Sequence, residues 1–317
     1  MARTADVVRI GLSAAIVSVA EEVPRVLAVT HPDAPDGLPF GPFDPLEHRT
    51  LESGLRAWVR QQTLLELHYA EQLYTFGDRG RHMVKSDEGP RVVSVGYLAL
   101  VRAAGARRAA QTQWQNWYAY FPWEDWRRTR PPILDDIILP ALNTFVRGGR
   151  DAAEIAARRQ RVTLCFGSLS AGWDEERVLD RYELLYEAGL VEEAARDGRS
   201  HVHLPAVPLG RSMIFDHRRI LATAIARLRG KMKYRPLVFE LMPSAFTLLE
   251  LQRTVEAISG VRLHKQNFRR LVEGQGLVER TGKLSASGRG RPAELFRFRR
   301  EVLSERPAPG LRLGMRR

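Results

Sequence analysis

The chain has 317 residues, 44% of them hydrophobic and 27% charged, a composition typical of a soluble globular protein with room for two domains. No apolar run approaches the roughly 20 residues of a membrane span, and the start MARTADVVRI lacks the apolar core of a signal peptide, so we expect a cytoplasmic protein with no membrane partner. The single cysteine, Cys165, excludes an intrachain disulfide and a multi-cysteine metal site. Its apolar neighbours predict a buried thiol rather than a catalytic one.

The net charge of +12 is unevenly distributed along the chain. Residues 218–317 hold 23 Lys and Arg against 8 Asp and Glu, whereas residues 1–217 carry a net charge of −3. Because phosphate contacts supply most of the sequence-independent affinity for DNA, this distribution is the one expected of a C-terminal duplex-binding domain. A membrane-surface interpretation is weaker, since the basic residues do not follow one long amphipathic helix.

The N-terminal part has the pattern of an α/β domain. Residues 7–30 form two β-rich runs around a turn at residues 21–22, and the segment HPDAPDGLPFGPFDPLEH that follows is rich in Pro, Gly and Asp, which predicts a loop. A helix is predicted from residue 50 to about residue 74. The run RVVSVGYLALV at 91–101 has the small and β-branched residues of a strand.

This succession resembles a Nudix domain, whose signature combines a loop glycine with helix glutamates that hold a divalent metal against a pyrophosphate. The resemblance is carried by the loop Leu38-Pro39-Phe40-Gly41, by Glu47 and by Arg56. It fails at the metal-binding positions, where Ala57, Arg60 and Gln61 stand in place of glutamates. Since Mg²⁺ needs carboxylate oxygens from the protein and an arginine repels it, we expect neither a metal site nor catalytic residues.

A positively charged helix face beside a glycine loop can still attract an anionic pyrophosphate through arginine–phosphate hydrogen bonds. We therefore predict an effector site in place of an active site. Its predicted residues are Phe40, Gly41, Arg49, Arg56, Arg60 and Gln61. The alternative interpretation is that Arg56 and Arg60 merely form surface ion pairs with Glu52 and Glu66.

The middle of the chain is less informative about function. Residues 111–126, QTQWQNWYAYFPWEDW, contain four of the six tryptophans. Such a cluster could stack on an adenine ring, but aromatic groups more often form a core or a dimer interface. Helices are predicted at 133–146 and 151–159, and an acidic helix or helix pair at 174–195, so we expect a helical insertion over about 103–210.

The C-terminal part carries a helix-turn-helix pattern. Asp216 can cap a helix that runs to Gly230 and would connect two domains. Thr247 and Glu250 form a predicted capping box for an amphipathic helix that ends at Gly260. A second helix follows, with apolar residues on one face and cations and amides on another. Two strand-like runs around a Gly/Ser/Arg-rich tip complete the order of a winged helix-turn-helix.

Lys, Arg, Gln and Asn are the side chains that bind phosphates and base edges when such a helix enters a major groove. The predicted DNA-binding residues are Lys265, Gln266, Asn267, Arg269 and Arg270 on the second helix, and Lys283, Arg289 and Arg291 in the hairpin. The tip Arg289-Gly290-Arg291-Pro292 is slim enough for an A·T-rich minor groove. The alternative is a solvated helix face and a flexible loop.

Several C-terminal motifs together resemble the Nudix-related transcriptional regulators of NAD metabolism, the NrtR type. They are Phe215-Asp216-His217-Arg218, the segment 227–243, Phe246-Thr247 with Glu250-Leu251-Gln252, Asn267-Phe268-Arg269-Arg270, and Gly290-Arg291-Pro292-Ala293. The long insertion and the degenerate metal-binding helix are more similar to the NadQ branch of that group. The resemblance implies a homodimeric repressor of NAD synthesis or salvage genes that binds a palindromic operator in double-stranded DNA.

The resemblance also implies an α/β (α+β) fold in which one domain binds the effector and another binds DNA. A Nudix-like domain at 1–214 would bind an adenine nucleotide (NAD, ATP or ADP-ribose) and thereby weaken DNA binding. A linker helix at 215–235, a winged helix at 236–300 and a disordered basic tail at 301–317 would follow. Two other classes stay open: an active Nudix pyrophosphatase with a nucleic-acid-binding tail, and a non-enzymatic adaptor that uses the helical insertion.

Overall fold

The computed structural model describes residues 8–78, 91–102, 109–167, 172–199, 203–285 and 292–311. Its strands are β1 (Val8–Ala20), β2 (Val23–His31), β3 (Ala34–Gly37), β4 (Phe40–Pro42), β5 (Tyr69–Phe76), β6 (Arg91–Leu100), β7 (Thr112–Asn116), β8 (Val278–Leu284) and β9 (Glu294–Phe298). Its α-helices are α1 (Leu51–Thr63), α2 (Leu139–Arg147), α3 (Ala152–Phe166), α4 (Val178–Glu187), α5 (Glu192–Arg196), α6 (His217–Met232), α7 (Leu248–Ser259), α8 (Lys265–Gly274) and α9 (Val302–Glu305). In the ranges described, no helix combines the length and apolarity needed to cross a membrane.

The first seven strands form one mixed sheet in the order β3-β2-β1-β6-β5, with β4 paired to β1 and β7 paired to β2. Strands β1 and β6 run parallel, and the other pairs are antiparallel. The turn between β1 and β2 places Glu21 and Glu22 at φ 52° and 62°, the left-handed conformation of a tight two-residue hairpin. The predicted hairpin and the predicted strand at 91–101 are both confirmed.

Three boundaries predicted from the sequence are wrong. Helix α1 ends at Thr63 because Leu64 takes the left-handed C-cap conformation, and β5 begins only six residues after the helix ends. The Pro- and Gly-rich segment after β2 is not all loop, since it contributes β3 and β4. Residues 112–116, predicted as part of the helical insertion, instead form β7 on the sheet. The insertion therefore starts after β7.

Helix α6 was predicted as a linker between domains, and this interpretation is wrong. The helix packs against β1, β5 and β6 of the sheet and against α4 and α7. Its apolar residues form a wide buried face, on which Ile220, Ala224 and Leu228 are all 0% exposed, and Arg227 on the remaining face is exposed. Helix α1 covers the opposite face of the sheet through Leu55 and Val59. The two helices and the sheet form an α/β/α sandwich.

The aromatic cluster at residues 111–126 packs the insertion against this sandwich and forms part of the hydrophobic core. Its central side chains are at most 5% exposed: Trp117, Tyr118, Tyr120, Phe121 and Trp123. They belong to one apolar cluster that also contains residues of α4, α6 and α7. The core is therefore continuous from the sheet through the insertion to the C-terminal helices. The cluster forms core, the favoured interpretation of the sequence, and none of these five rings has a free face on which an adenine could stack.

The C-terminal part has the predicted order of helix, turn, helix and hairpin. Strands β8 and β9 pair antiparallel, and Phe246 forms a single β-bridge to β9 by exchanging backbone hydrogen bonds of 2.9 and 2.8 Å with Phe296. The tail was predicted to be disordered, which is wrong for residues 301–311: α9 forms there, Val302 is 0% exposed, and the Leu311 amide donates to the Met232 carbonyl at 2.8 Å.

Candidate DNA-binding and effector sites

The helix-turn-helix is built by local hydrogen bonds that its sequence predicts. The Thr247 hydroxyl accepts from the Glu250 amide at 3.1 Å, and the Glu250 carboxylate accepts from the Thr247 amide at 2.7 Å, so the capping box of α7 is confirmed. Gly260 ends the helix at φ 78°, a conformation that glycine adopts without steric cost. The chain then turns and enters α8.

Helix α8 is anchored by its apolar side and exposes its polar side. Phe268 and Val272 are 3% and 0% exposed and hold the helix against the core. The five side chains predicted to bind DNA all lie exposed on its other faces: Lys265, Gln266, Asn267, Arg269 and Arg270. The structure thus brings these five residues together on one short helix.

Two of these arginines are oriented by neighbours on the same helix. Arg269 donates to Glu273 at 3.1 Å, and Arg270 donates to the Asn267 side chain at 2.9 Å. The exposed Arg269–Glu273 ion pair contributes little stability, and the Asn267 amide that binds Arg270 is neutral, so either guanidinium can exchange its partner for a phosphate at small cost. In the hairpin, Lys283 is exposed near the end of β8, whereas Arg289 and Arg291 lie outside the described residues.

The predicted effector loop is held against helix α1 by two residues that the sequence analysis did not single out. Gln62 binds both backbone groups of Phe40, accepting from its amide at 3.0 Å and donating to its carbonyl at 2.7 Å. Trp58 donates to the Pro42 carbonyl at 2.7 Å, and a Cβ at Gly41 would collide with its indole ring. Trp58 and Gln62 are four residues apart on one helix face, which is the signal that could have identified them.

The four other predicted effector residues lie on or next to α1. Arg49 is exposed just before the helix, and Arg60 and Gln61 are exposed on it. Arg56 forms an ion pair with Glu52 at 2.8 Å and donates to the Leu67 carbonyl, so the surface ion pair weighed as an alternative exists for Arg56. Glu52 is the one carboxylate in α1, and its pairing with Arg56 does not suit Mg²⁺, which needs carboxylate oxygens of its own. Within the described ranges, no group of three or more His, Cys, Asp or Glu residues could hold a metal.

A ring cluster connects the effector loop to the first turn of α6. The Phe40 ring lies 5.7 Å from that of Phe215 and 5.0 Å from that of His217, both edge-on. The Leu38 amide donates to Nδ1 of His217 at 2.9 Å, so this nitrogen is the acceptor and Nε2 carries the proton. Phe215 has a φ of 50°, which is rare for a bulky residue and typical of functional sites.

The opposite end of α6 reaches a buried ionic junction that no sequence pattern predicted. Glu124 accepts from Arg181 at 2.5 and 2.8 Å and from Arg229 at 2.7 Å, and the three side chains are at most 1% exposed. Two guanidiniums share one carboxylate. Further negative charge comes from backbone carbonyls at the C-terminal end of α7, because the helix dipole concentrates it there.

Contacts at this junction hold the last turn of α7 from two sides. Arg229 donates to the Ile258 carbonyl at 2.8 Å, and the Tyr118 hydroxyl donates to the Ala257 carbonyl at 2.8 Å. Burial raises the pKa of Tyr118, so its hydroxyl keeps the proton that it donates. The Trp126 amide donates to the Gly260 carbonyl at 2.7 Å. The end of α7 is therefore held in place by hydrogen bonds from α6 and from the insertion.

Residues 238–298 match the family model of the NrtR DNA-binding winged helix domain, which confirms the predicted resemblance for that part of the chain. A curated relative, the "ADPR responsive transcriptional repressor NtrR" of Acinetobacter baylyi, is 45% identical over 86 residues, which are 27% of this chain and 34% of that protein. The aligned stretch thus spans about a third of the relative's length.

Two solved structures share the fold over nearly the whole chain. NrtR of Shewanella oneidensis complexed with a 27mer DNA superposes with a TM-score of 0.54 and 21% identity, covering 93% of this chain and 95% of that one. A MutT/nudix family protein from Enterococcus faecalis superposes with a TM-score of 0.51 and 15% identity, covering 94% and 89%. The predicted fold class is confirmed, while assignment to the NadQ branch stays a prediction.

Proposed function

We propose that this protein is a transcriptional repressor whose winged helix binds operator DNA and whose N-terminal domain binds ADP-ribose. The observation that carries the proposal is the segment 238–298, which matches the NrtR winged helix domain and presents five polar or basic side chains on α8. These are the residue types that bind phosphates and base edges in a major groove. The protein would act in the cytoplasm, where bacterial operators are found.

ADP-ribose is the adenine nucleotide favoured among the three considered, because the curated relative is named for its response to ADPR. Its pyrophosphate would lie beside Gly41 and bind Arg60 and Arg49. Arg56 would have to exchange its partner Glu52 in order to join them. NAD and ATP share the pyrophosphate and the adenine, so they are the natural competitors in a binding assay.

Helix α6 is the proposed route between the two sites. His217 near its start contacts the effector loop, and Arg229 near its end binds the Ile258 carbonyl. They are 12 positions apart, which is about 18 Å along a rigid helix. A nucleotide that moves the loop would shift or rotate α6 and so displace the end of α7. By linkage, DNA then lowers the affinity for the nucleotide by the same factor.

The proposed assembly is a homodimer on a palindromic operator of NAD biosynthesis genes. A two-fold axis would place two α8 helices in half-sites about one turn, ~34 Å, apart. The effector would spoil this spacing. We also propose that ADP-ribose is bound and not hydrolysed, since Ala57, Arg60 and Gln61 supply no carboxylate for a metal.

The test is a fluorescence-anisotropy titration of full-length protein with DNA from upstream of NAD biosynthesis genes, with and without ADP-ribose, NAD and ATP. We expect salt-dependent binding that ADP-ribose weakens more than its competitors do. A parallel assay with Mg²⁺ should find no release of AMP from ADP-ribose. Binding too weak to detect at low salt would rule out the DNA-binding role, and AMP release would favour the pyrophosphatase alternative.

A further inference from the structure

A short basic stretch of the insertion, residues 126–130 (Trp-Arg-Arg-Thr-Arg), lies alongside the turn of the helix-turn-helix. Trp126 forms a β-bridge with Val261, and the Arg262 guanidinium donates to the Arg127 carbonyl at 3.2 Å. Bridged strands lie about 4.8 Å apart. The stretch is therefore a direct neighbour of the segment that leads into α8.

The direction of the bridge decides where this stretch goes. It is parallel, so the chain from Trp126 onward runs the same way as the chain from Val261 toward Lys265 at the start of α8. Residues at the N-terminus of a recognition helix contact base edges, and the DNA backbone at the rim of the groove passes beside them. The basic stretch therefore runs toward the start of α8, beside which the phosphates of bound DNA would lie.

Of the three arginines in the stretch, two are already engaged. Arg127 forms a two-pronged pair with Asp125 at 2.8 Å on each side, and Arg130 forms one with Asp135 at 2.7 and 2.9 Å. Arg128 is exposed and makes no hydrogen bond or ion pair with the residues that the structure describes. Its guanidinium is available to a ligand without breaking any contact described here.

The two residues that precede Arg128 are held in place by their side chains. The Trp126 ring lies 4.6 Å from that of Trp173, and Arg127 donates to the Glu22 carbonyl at 2.5 Å and lies over the Tyr118 ring at 5.1 Å. A cation on a backbone fixed in this way loses little conformational entropy when it binds. This distinguishes it from a basic residue on a free loop.

We propose that the insertion forms an accessory contact with the DNA backbone, in which Arg128 binds a phosphate at the edge of the groove entered by α8. This inference rests on the proposed DNA-binding function and extends it, because the contact comes from outside the winged helix. A phosphate contact carries no sequence information. It therefore adds affinity and extends the footprint beyond the bases that α8 reads.

The test compares full-length wild type with Arg128→Ala on a duplex enriched by the protein from random-sequence DNA. Each phosphate contact contributes about 0.9 to the slope of log affinity against log salt. In the proposed homodimer the substitution removes one contact per protomer, so the slope should fall by about 1.8. The ratio of wild-type to variant affinity should then be about 12-fold smaller at 200 mM than at 50 mM salt. The matched control is Arg159→Ala, which removes the same charge from an exposed position on α3.

A series of duplexes shortened stepwise from both ends locates the contact. We expect the effect of Arg128→Ala to disappear at a length on which wild type still binds, while Arg159→Ala has no effect at any length. Equal salt slopes for Arg128→Ala and wild type on every duplex that wild type binds would refute the accessory contact alone. If wild type binds none of the duplexes, the proposed function fails, and this inference fails with it.

Discussion

Replacing Glu124 with glutamine tests whether the negative charge of Glu124 stabilises the buried junction with Arg181 and Arg229. The substitution preserves the shape of the side chain but removes the charge shared by Arg181 and Arg229, which lie 2.5 to 2.8 Å from its oxygens. Removing one partner of a buried pair leaves an uncompensated charge and costs about 3–5 kcal/mol. Against a typical unfolding free energy of about 5–15 kcal/mol, the loss should be large.

The matched control is Glu193→Gln at the other buried ion pair. Glu193 pairs with Arg218 at 3.2 Å, and the two are 2% and 1% exposed. In the described part of the chain, the other side-chain hydrogen bonds of this pair go to the backbone of Tyr120, Leu209 and Met213 and not to α7. Urea denaturation followed by tryptophan fluorescence should find both variants destabilised. Under conditions where both remain folded, Glu124→Gln should reduce the effect of ADP-ribose on DNA affinity more than Glu193→Gln does, because only Glu124 shares an arginine with the end of α7. Two results would contradict the ionic role of the junction. One is a loss of unfolding free energy below about 1 kcal/mol in Glu124→Gln, and the other is an equal effect of ADP-ribose on the DNA affinity of the two variants.

Three further outcomes are expected. Gly41→Ala should weaken ADP-ribose binding and leave DNA binding intact, because the added methyl collides with the Trp58 indole; calorimetry with ADP-ribose checks this. Arg269→Ala or Arg270→Ala should lower DNA affinity and reduce the salt slope by about 2 in the proposed homodimer, about 1 per protomer, without changing thermal stability, and unchanged affinity in both would mean that α8 does not read DNA. Burial raises the pKa of Cys165 to about 11, so iodoacetamide at pH 8 should react with it about a hundredfold more slowly than with an ordinary thiol, and urea should restore the rate.

Features whose causes are local in the sequence could be predicted. The capping box of α7 needs only Thr247 and Glu250 three residues apart, and the end of that helix needs only a glycine able to take a left-handed conformation. The apolar anchors and polar faces of α8 follow from helical periodicity. For the same reason the five polar residues of α8 were found together, since one short helix contains them all.

Features that depend on distant parts of the chain could not be predicted. The pattern of α6 indicates a helix, but its burial against the sheet depends on strands more than a hundred residues away. Glu124 is 57 residues from Arg181 and 105 residues from Arg229 along the chain. No pattern in the sequence indicates that these three residues are in contact. The end of α1 was missed because no glycine or proline marks it: Leu64 takes the left-handed C-cap conformation, and Leu65 and Leu67 beyond it still belong to the core.

The junction can influence DNA binding only if the end of α7 fixes the start of α8, and a second buried carboxylate provides that connection. Glu256 of α7, 2% exposed, accepts from the Leu263 amide at 2.9 Å and from Arg262 at 2.7 Å. Gln252 binds both Glu256 and the Leu263 carbonyl, at 2.8 and 2.9 Å. The turn is therefore tied to α7 by charge-assisted hydrogen bonds, which are stronger than neutral ones. Because α7, the turn and the start of α8 are joined in this way, a displacement imposed by Arg229 on the end of α7 would move the proposed reading helix with it.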